Sequence, residues 1–235
     1  MVKKERIFVA GHLGLGDLII TQGIVNVFAR IFDEVVVPSK YHNVPSVRHM
    51  NINNPTVTVF GINNDQEMLA VAKQFDGEVV RLGSHNGTHL RKADTQVLRN
   101  GRLTRLGLEG VFYEDAHVDV KERYNWEPQV PENGLMPSTK EKEFCFVHDD
   151  YRRNYNIRED TIKLPILRNL MTTETIFHYL PLIKKAKEIH CFDSCFALMV
   201  DQLKHIEANL YIHRYLRPDS EAINPNYRKN WKIIN

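Results

Sequence analysis

The stretch VAGHLGLGDLIITQG, residues 9–23, combines three glycines with a carboxylate between two apolar runs. Gly11, Gly14 and Gly16 follow the first run, and Asp17 directly precedes the second. An apolar strand, a glycine turn and an apolar helix in this order let a ligand approach the backbone closely, because glycine has no side chain. The types and spacing of these residues are therefore compatible with binding of a dinucleotide, a phosphate or a sugar.

Two of the common glycine motifs do not fit. The dinucleotide pattern Gly-x-Gly-x-x-Gly fails because Ile19 stands where the third glycine belongs after Gly14 and Gly16. A phosphate loop requires Gly-Lys-Ser or Gly-Lys-Thr, which is absent from the sequence. The plain structural alternative is a tight strand-to-helix turn with Asp17 as a helix-start residue favoured by the helix dipole.

A second group of polar residues follows the apolar stretch in FCFVHDDYRRNYNI, residues 144–157. A predicted strand ends at His148 and is followed by Asp149, Arg152 and Arg153, and ligands bind beyond the carboxyl ends of parallel strands. The planar fork of an arginine suits a diphosphate. The alternative is an ordinary charged loop in solvent.

A third group lies in EIHCFDSCFALMVDQL, residues 188–203. Asp193 or Ser194 is placed to cap the apolar helix that follows. The backbone N–H groups of a helix N-terminus also form an anion site, so this element predicts either a plain cap or a phosphate contact.

The stretch GLGDLIITQGIVNVFAR, residues 14–30, resembles the opening of bacterial heptosyltransferases and related GT-B glycosyltransferases, including compact glycosyltransferase-like proteins of bacteria and large viruses. In that family a strand leads into Gly-x-Gly-Asp and an amphipathic helix. The resemblance implies that Asp17 is the general base for an acceptor hydroxyl, in an inverting transfer that needs such a base. It also implies that His12, Gly14 and Gly16 form the acceptor-side loop.

The stretch HCFDSCFALMVDQL, residues 190–203, resembles the element that contacts the donor diphosphate in the same family. The implied donor-binding residues are His148, Asp149, Arg152, Arg153, Asp193 and Ser194. The implied donor is a nucleotide sugar, bound as a substrate, so no cofactor is expected. Two alternatives stay open, namely a non-catalytic nucleotide- or sugar-binding protein with the same shell and an NAD-dependent oxidoreductase.

No metal site is predicted. His85 and His89 are four residues apart, but Asn86 and Gly87 between them interrupt any helix. The sequence has no Asp-x-Asp pair, which removes the metal clamp expected of a GT-A transferase. The Cys191 and Cys195 thiols are expected to pack rather than react.

The elements that position these residues alternate between strands and helices, which predicts βαβ units and parallel sheets. The predicted fold class is α/β, with two small Rossmann-like lobes at 1–123 and 144–235 joined by a proline-rich linker at 124–143. The predicted strands are 6–10, 34–37, 56–60, 78–82, 143–148, 188–192 and 209–212. The predicted helices are 17–31, 65–74, 173–186 and 194–203, with a short one after Pro45 and a long surface helix from about Lys92.

The composition of the chain bears on its binding partners and its cellular compartment. The chain has 235 residues, of which 43% are hydrophobic and 26% charged, and its net charge of +2 gives no support for a nucleic-acid surface. Three cysteines are too few for a disulfide framework, which favours a reducing compartment. The first apolar run is too short for a signal peptide, and no run is long enough for a membrane helix. We therefore expect a cytoplasmic protein. Peripheral membrane contact and the oligomeric state stay open.

Overall fold

The computed structural model describes residues 4–86, 95–99, 102–160, 162–170, 173–216 and 226–235. The chain divides into two compact units. Unit 1 comprises Met1–Trp126 and Ala222–Asn226, and unit 2 comprises Glu127–Glu221 and Tyr227–Asn235. The boundary after Trp126 falls inside the predicted linker, and the described residues from 125 to 144 contain no helix or strand.

Unit 1 is built on a parallel sheet of four strands in the order β3-β2-β1-β4. Its strands are β1 (Lys4–Ala10), β2 (Phe32–Lys40), β3 (Val57–Ile62) and β4 (Glu78–Arg81). Its helices are α1 (Leu15–Ala29), α2 (Val44–Met50), α3 (Asp65–Gln74) and α4 (Gly107–Asp115). The four consecutive residues from Ile7 to Ala10 are all buried, as expected of a central strand covered on both faces.

A hairpin replaces the predicted long surface helix. Lys92 lies outside the described residues, and β5 (Gln96–Arg99) pairs antiparallel with β6 (Arg102–Arg105). The signal was present in the sequence, because Asn-Gly at positions 100 and 101 is the dipeptide most typical of two-residue hairpin turns. Helix α4 begins only after this hairpin, at Gly107.

Unit 2 is built on a parallel sheet of five strands in the order β11-β10-β9-β7-β8. Its strands are β7 (Cys145–Val147), β8 (Ile166–Arg168), β9 (Glu188–Cys191), β10 (Asn209–His213) and β11 (Lys232–Ile234). Its helices are α5 (Leu180–Lys185) and α6 (Cys195–Gln202). The predicted α/β class with two parallel sheets is confirmed.

Unit 2 differs from the predicted elements in two ways. Strands β8 and β11 were not predicted, because each has three residues with only two apolar ones in succession, whereas the equally short β7 lies in a longer apolar run. The predicted helix 173–186 is a 3₁₀ turn at Ile176–Tyr179 followed by α5, which carries Pro181 in its first turn. Thr175 caps the 3₁₀ turn by accepting a hydrogen bond from the Phe177 N–H. Proline is tolerated only near a helix start, so the regular helix begins there.

The C-terminal segment contributes to both units. Asn226 belongs to unit 1, where its amide group and backbone N–H donate to Glu109 and its carbonyl accepts from Arg123 and Tyr124. Within the predicted second lobe, 144–235, the division into compact units assigns Ala222–Asn226 to unit 1 and the rest to unit 2. No helix within the described ranges is long and apolar enough to cross a membrane.

We expect Asp201→Ala to release the segment Tyr227–Asn235 from unit 2 and to lower the free energy of unfolding by about 1–3 kcal/mol. The fully buried Asp201 carboxylate accepts hydrogen bonds from the backbone N–H groups of Arg228 and Lys229, which alanine leaves without that acceptor. Urea unfolding would measure the change. Glu207→Ala, which removes an exposed carboxylate of the same unit, should change stability by less than about 0.5 kcal/mol. Equal effects from the two substitutions would contradict the prediction.

Candidate functional site

Each sheet has a topological switch point, where the chain reverses its direction of travel across the sheet. In unit 1 the strand order places it between β1 and β4, and in unit 2 between β7 and β9. Ligands in open α/β sheets bind in the crevice beyond the carboxyl ends of the strands at such points. The candidate residues follow these same strands, so each group lies at the switch point of its own unit.

The glycine turn follows β1 and ends in helix α1. The helix begins at Leu15 with Gly14 as its N-cap, two residues earlier than predicted, so Asp17 lies in the first helical turn and does not occupy the N-cap position. Gly14 has an ordinary extended backbone, and its lack of a side chain matters for another reason. A Cβ atom there would lie 2.5 Å from Oδ2 of Asp17, so glycine leaves the space that this carboxylate occupies.

His12 contacts a serine across the switch point of unit 1. Its Nε2 lies 2.9 Å from the Ser84 hydroxyl oxygen and accepts the Ser84 backbone N–H at 3.3 Å. A backbone N–H can only donate, so Nε2 is the unprotonated nitrogen in this geometry. Burial lowers the pKa of His12, and the Asp65 carboxylate partly offsets that effect. His12 is therefore neutral at pH 7.

The segment after β4 holds functional candidates that the sequence analysis missed. Gly83 adopts a φ of +62°, and its N–H donates to Asp115 at 2.7 Å. A Cβ at Gly83 would lie 2.9 Å from His12 Nε2, so glycine fits both the backbone conformation and the close approach. The centroid of the His85 ring lies 5.1 Å from that of the His12 ring. Nε2 of His85 lies 3.6 Å from the Asp65 carboxylate. The glycine before Ser84 was the available signal. His89, four residues after His85, lies outside the described residues.

His148 and Ser194 form the corresponding contact in unit 2. Their Nδ1 and Oγ atoms are 3.0 Å apart, and the imidazole is stacked between Phe192 and Phe196 at centroid distances of 4.8 and 4.2 Å. Burial, with a smaller contribution from the charge of Arg153, lowers the pKa of His148 to about 3. The buried imidazole is therefore neutral. Ser194 occupies the N-cap position of α6, but its hydroxyl does not cap the helix.

Asp149 is buried and organises the loop that follows β7. Its carboxylate accepts hydrogen bonds from the Ile157 N–H at 2.8 Å, from the Tyr151 hydroxyl at 3.0 Å and from Arg168 at the end of β8. Its own N–H donates to the Asn169 side chain at 2.7 Å. These contacts pull two neighbouring strand ends together and leave the carboxylate engaged within the protein.

Asp193 is also buried, and it anchors the C-terminal segment. The Tyr227 hydroxyl donates to its carboxylate at 2.9 Å, and Nε of Arg214 lies 3.7 Å away.

The two predicted donor-binding arginines follow β7, and the structure describes the side chain of only one of them. Arg153 is exposed, with its Nε 3.4 Å from Asp150, whereas the side chain of Arg152 lies outside the described part of the chain.

The two units thus share one arrangement at their switch points. A histidine soon after the first strand contacts a serine that lies three residues beyond the neighbouring strand, which is Ser84 after Arg81 and Ser194 after Cys191. Unit 1 adds the partly exposed Asp17 carboxylate, and unit 2 adds the exposed Arg153 guanidinium. One switch point therefore offers a proton acceptor, and the other offers a positive charge suited to an anionic ligand.

Comparisons with known proteins bear on the fold. No protein-family model and no curated protein matches this sequence. The chain is similar in structure to the bacterial iron-containing dodecameric glycosyltransferase TibC from enterotoxigenic E. coli H10407, with a TM-score of 0.52 and 9% sequence identity. The match covers 90% of this chain and 58% of TibC, so the chain spans somewhat more than half of that enzyme's length. At this identity the match shows a glycosyltransferase-like fold.

Proposed function

We propose that this protein is a glycosyltransferase that moves a sugar from a nucleotide-sugar donor to an acceptor hydroxyl with inversion. The observation that carries the proposal is a partly exposed carboxylate, Asp17, at the switch point of unit 1, in a fold similar to that of a glycosyltransferase. The likeness of residues 14–30 to the heptosyltransferase opening supports the same assignment.

In this proposal Asp17 accepts the proton of the acceptor hydroxyl as its oxygen attacks the anomeric carbon of the donor sugar. The leaving group is the nucleoside diphosphate. The turn His12–Gly16 receives the acceptor, because Gly14 and Gly16 keep side chains away from the carboxylate. His12 and Ser84 support this turn through their mutual contact.

Unit 2 is proposed to bind the donor. Arg152 and Arg153 would pair with the diphosphate, and the N-terminal turn of α6 would supply backbone N–H groups. His148, Asp149, Asp193 and Ser194 would shape this site, since each is already hydrogen-bonded within unit 2. The donor is a substrate, and the proposed reaction requires neither a cofactor nor a metal clamp on the diphosphate.

The test is thermal unfolding in the presence of UDP-, GDP-, ADP- and dTDP-sugars, with NAD and NADP measured in parallel. A ligand at a hundredfold excess over its dissociation constant stabilises the folded state by about 2.7 kcal/mol. A nucleotide sugar that stabilises the protein and is turned over on an acceptor supports the proposal. Stabilisation by NAD alone would favour an oxidoreductase, and sugar binding without turnover on any acceptor would favour a binding protein.

We expect Arg153→Ala to weaken binding of the nucleotide sugar about 10- to 150-fold, the equivalent of one lost hydrogen bond to a charged group. Isothermal titration would measure it. Arg158→Ala is the matched control, because it removes the same charge from an exposed guanidinium that lies 4.3 Å from the centre of the Tyr215 ring. If both variants lose the same affinity for the nucleotide sugar, the loss reflects the net charge of the protein, and a specific contact of Arg153 with the donor is contradicted.

A transfer assay with a chelator present tests the metal-free donor step. Full activity is expected. Activity that the chelator abolishes and manganese restores would contradict it.

A further inference from the structure

Three side chains with metal-binding atoms share one face of the unit 2 sheet. Cys145 on β7 is directly opposite Glu188 on β9, and His190 is two residues beyond Glu188 on the same strand. Directly paired residues and residues two apart project from the same face of a sheet. The register therefore brings a thiol, a carboxylate and an imidazole together.

The ligand atoms of these three residues all lie within 4.8 Å of one another. Cys145 is fully buried, His190 is 2% exposed, and the Glu188 side chain retains 24% of its accessible surface. The Nε2 atom of His190 is buried and makes no hydrogen bond with any residue that the structure describes. It lies 3.7 Å from the Glu188 carboxylate, which is beyond hydrogen-bonding distance.

The opposite nitrogen of the same ring is held by a second histidine. Nδ1 of His190 lies 2.8 Å from Nε2 of His213, and Nδ1 of His213 lies 3.2 Å from the Tyr215 hydroxyl. When both Nδ1 atoms carry the protons, this chain of hydrogen bonds leaves Nε2 of His190 with a lone pair directed away from His213. Metal-binding histidines are typically oriented by such a contact on the nitrogen that does not bind the metal.

We propose that Cys145, Glu188 and His190 bind a divalent transition-metal ion of the Zn²⁺ class. Thiolate, carboxylate and imidazole are all zinc ligands, and a water molecule can complete a tetrahedral set. Thiolate and carboxylate together balance the two positive charges of the ion, which reduces the cost of burying it. The ion would link β7 to β9 and stabilise unit 2.

The protonation states of these residues fit this assignment. Burial, with a contribution from Glu188, raises the pKa of the Cys145 thiol to about 12, so the thiol keeps its proton until a metal displaces it. Burial, with a contribution from His213, lowers the pKa of His190 to about 4, so its imidazole is neutral at pH 7, as a metal ligand must be. Metal binding should therefore release a proton from Cys145.

The experiment uses the untagged 235-residue chain, reduced, stripped with a chelator and titrated with Zn²⁺ or Co²⁺. We expect one ion per chain, a higher thermal midpoint, and for Co²⁺ a thiolate-to-metal charge-transfer band in the near ultraviolet. Protein that binds no Co²⁺, or binds it without the thiolate band, would overturn the proposal. The site does not depend on the proposed transferase activity, and this readout does not use it.

Variants locate the site. Cys145→Ser should abolish the charge-transfer band, and Glu188→Gln should weaken Co²⁺ binding at least tenfold while keeping the side-chain shape. Cys191→Ser is the matched control, because Cys191 is equally buried on β9 but projects from the opposite face. An unchanged band in Cys145→Ser, or its loss in a folded Cys191→Ser, would overturn the assignment. If Cys145→Ser does not fold, Glu188→Gln is the deciding variant, because the Glu188 side chain is partly exposed. Unchanged Co²⁺ affinity in Glu188→Gln would then overturn the assignment.

Discussion

Asp17→Asn should lower the turnover number about 10²- to 10⁴-fold while donor affinity is unchanged. Asparagine keeps the size and hydrogen-bonding capacity of the side chain but cannot accept the proton of the acceptor hydroxyl, and losses of this size are typical for a general base. Donor affinity should persist because the proposed donor contacts belong to unit 2. Steady-state kinetics at saturating donor and acceptor, together with donor titration, would measure both quantities.

The competing explanation is that Asp17 only stabilises helix α1. An acidic residue in the first turn contributes about 0.3–1 kcal/mol through the helix dipole. In that case Asp17→Asn would cost up to that amount in unfolding free energy, and turnover would stay at the wild-type value. Wild-type turnover in this variant would remove Asp17 from the mechanism.

Two glycine substitutions in the same turn provide a matched pair for the position of the carboxylate. A Cβ at Gly14 would lie 2.5 Å from Oδ2 of Asp17, so Gly14→Ala must displace the carboxylate, the mobile end of a side chain. A Cβ at Gly11 would meet Leu82 at 3.5 Å, an ordinary contact. Both variants should fold, and only Gly14→Ala should lose turnover. Equal activity in the two variants would contradict a positional requirement on Asp17.

Local patterns were enough to predict much of the fold. Helix α3 has the predicted bounds, 65–74, because Asn64 caps it by accepting the Glu67 N–H and apolar residues repeat along it. Strands β1 and β9 were predicted to within two residues, since each is a short apolar run ended by polar or turn residues. The alternation of these elements was sufficient to predict parallel sheets.

The candidate site could be predicted only in part, because its contacts join residues that are far apart in the sequence. The contacts of His12 with Ser84, and of His148 with Ser194, join residues 72 and 46 positions apart. Nothing in the local sequence shows that β4 lies beside β1 or that β9 lies beside β7, so it does not show which loops meet. The same reason hid the cluster of Cys145 with Glu188, because it depends on the register of β7 against β9.

Burial also changed the interpretation of charged residues. Asp149 and Asp193 have the same residue type and the same position after a strand as ligand-binding carboxylates, yet both are enclosed by donors of their own unit. Sequence position after a strand predicts proximity to a switch point. It does not distinguish a side chain that faces a ligand from one that holds a loop.

Arg123→Ala should lower the unfolding free energy of unit 1 by about 3–5 kcal/mol, the range expected when one partner of a buried ion pair is removed. Arg123 and Glu109 are each 2% exposed, and Nη1 of Arg123 lies 3.8 Å from Oε2 of Glu109. Arg123 also donates to the Asn226 carbonyl at 2.9 Å. Alanine leaves the buried Glu109 without this counter-charge and opens a cavity in the space of the guanidinium.

Guanidinium-induced unfolding would measure the change in a Trp231→Phe background, so that Trp126 alone reports on unit 1. Arg30→Ala is the control, because it breaks an exposed pair with Glu122 at 3.1 Å and should cost at most about 1 kcal/mol. The double variant Arg123→Met with Glu109→Gln should recover part of the loss, because it removes both buried charges together. If Arg123→Ala costs no more than Arg30→Ala, Glu109 gains little from this counter-charge. The hydrogen bond from Arg123 to the Asn226 carbonyl would then contribute little to the stability of unit 1.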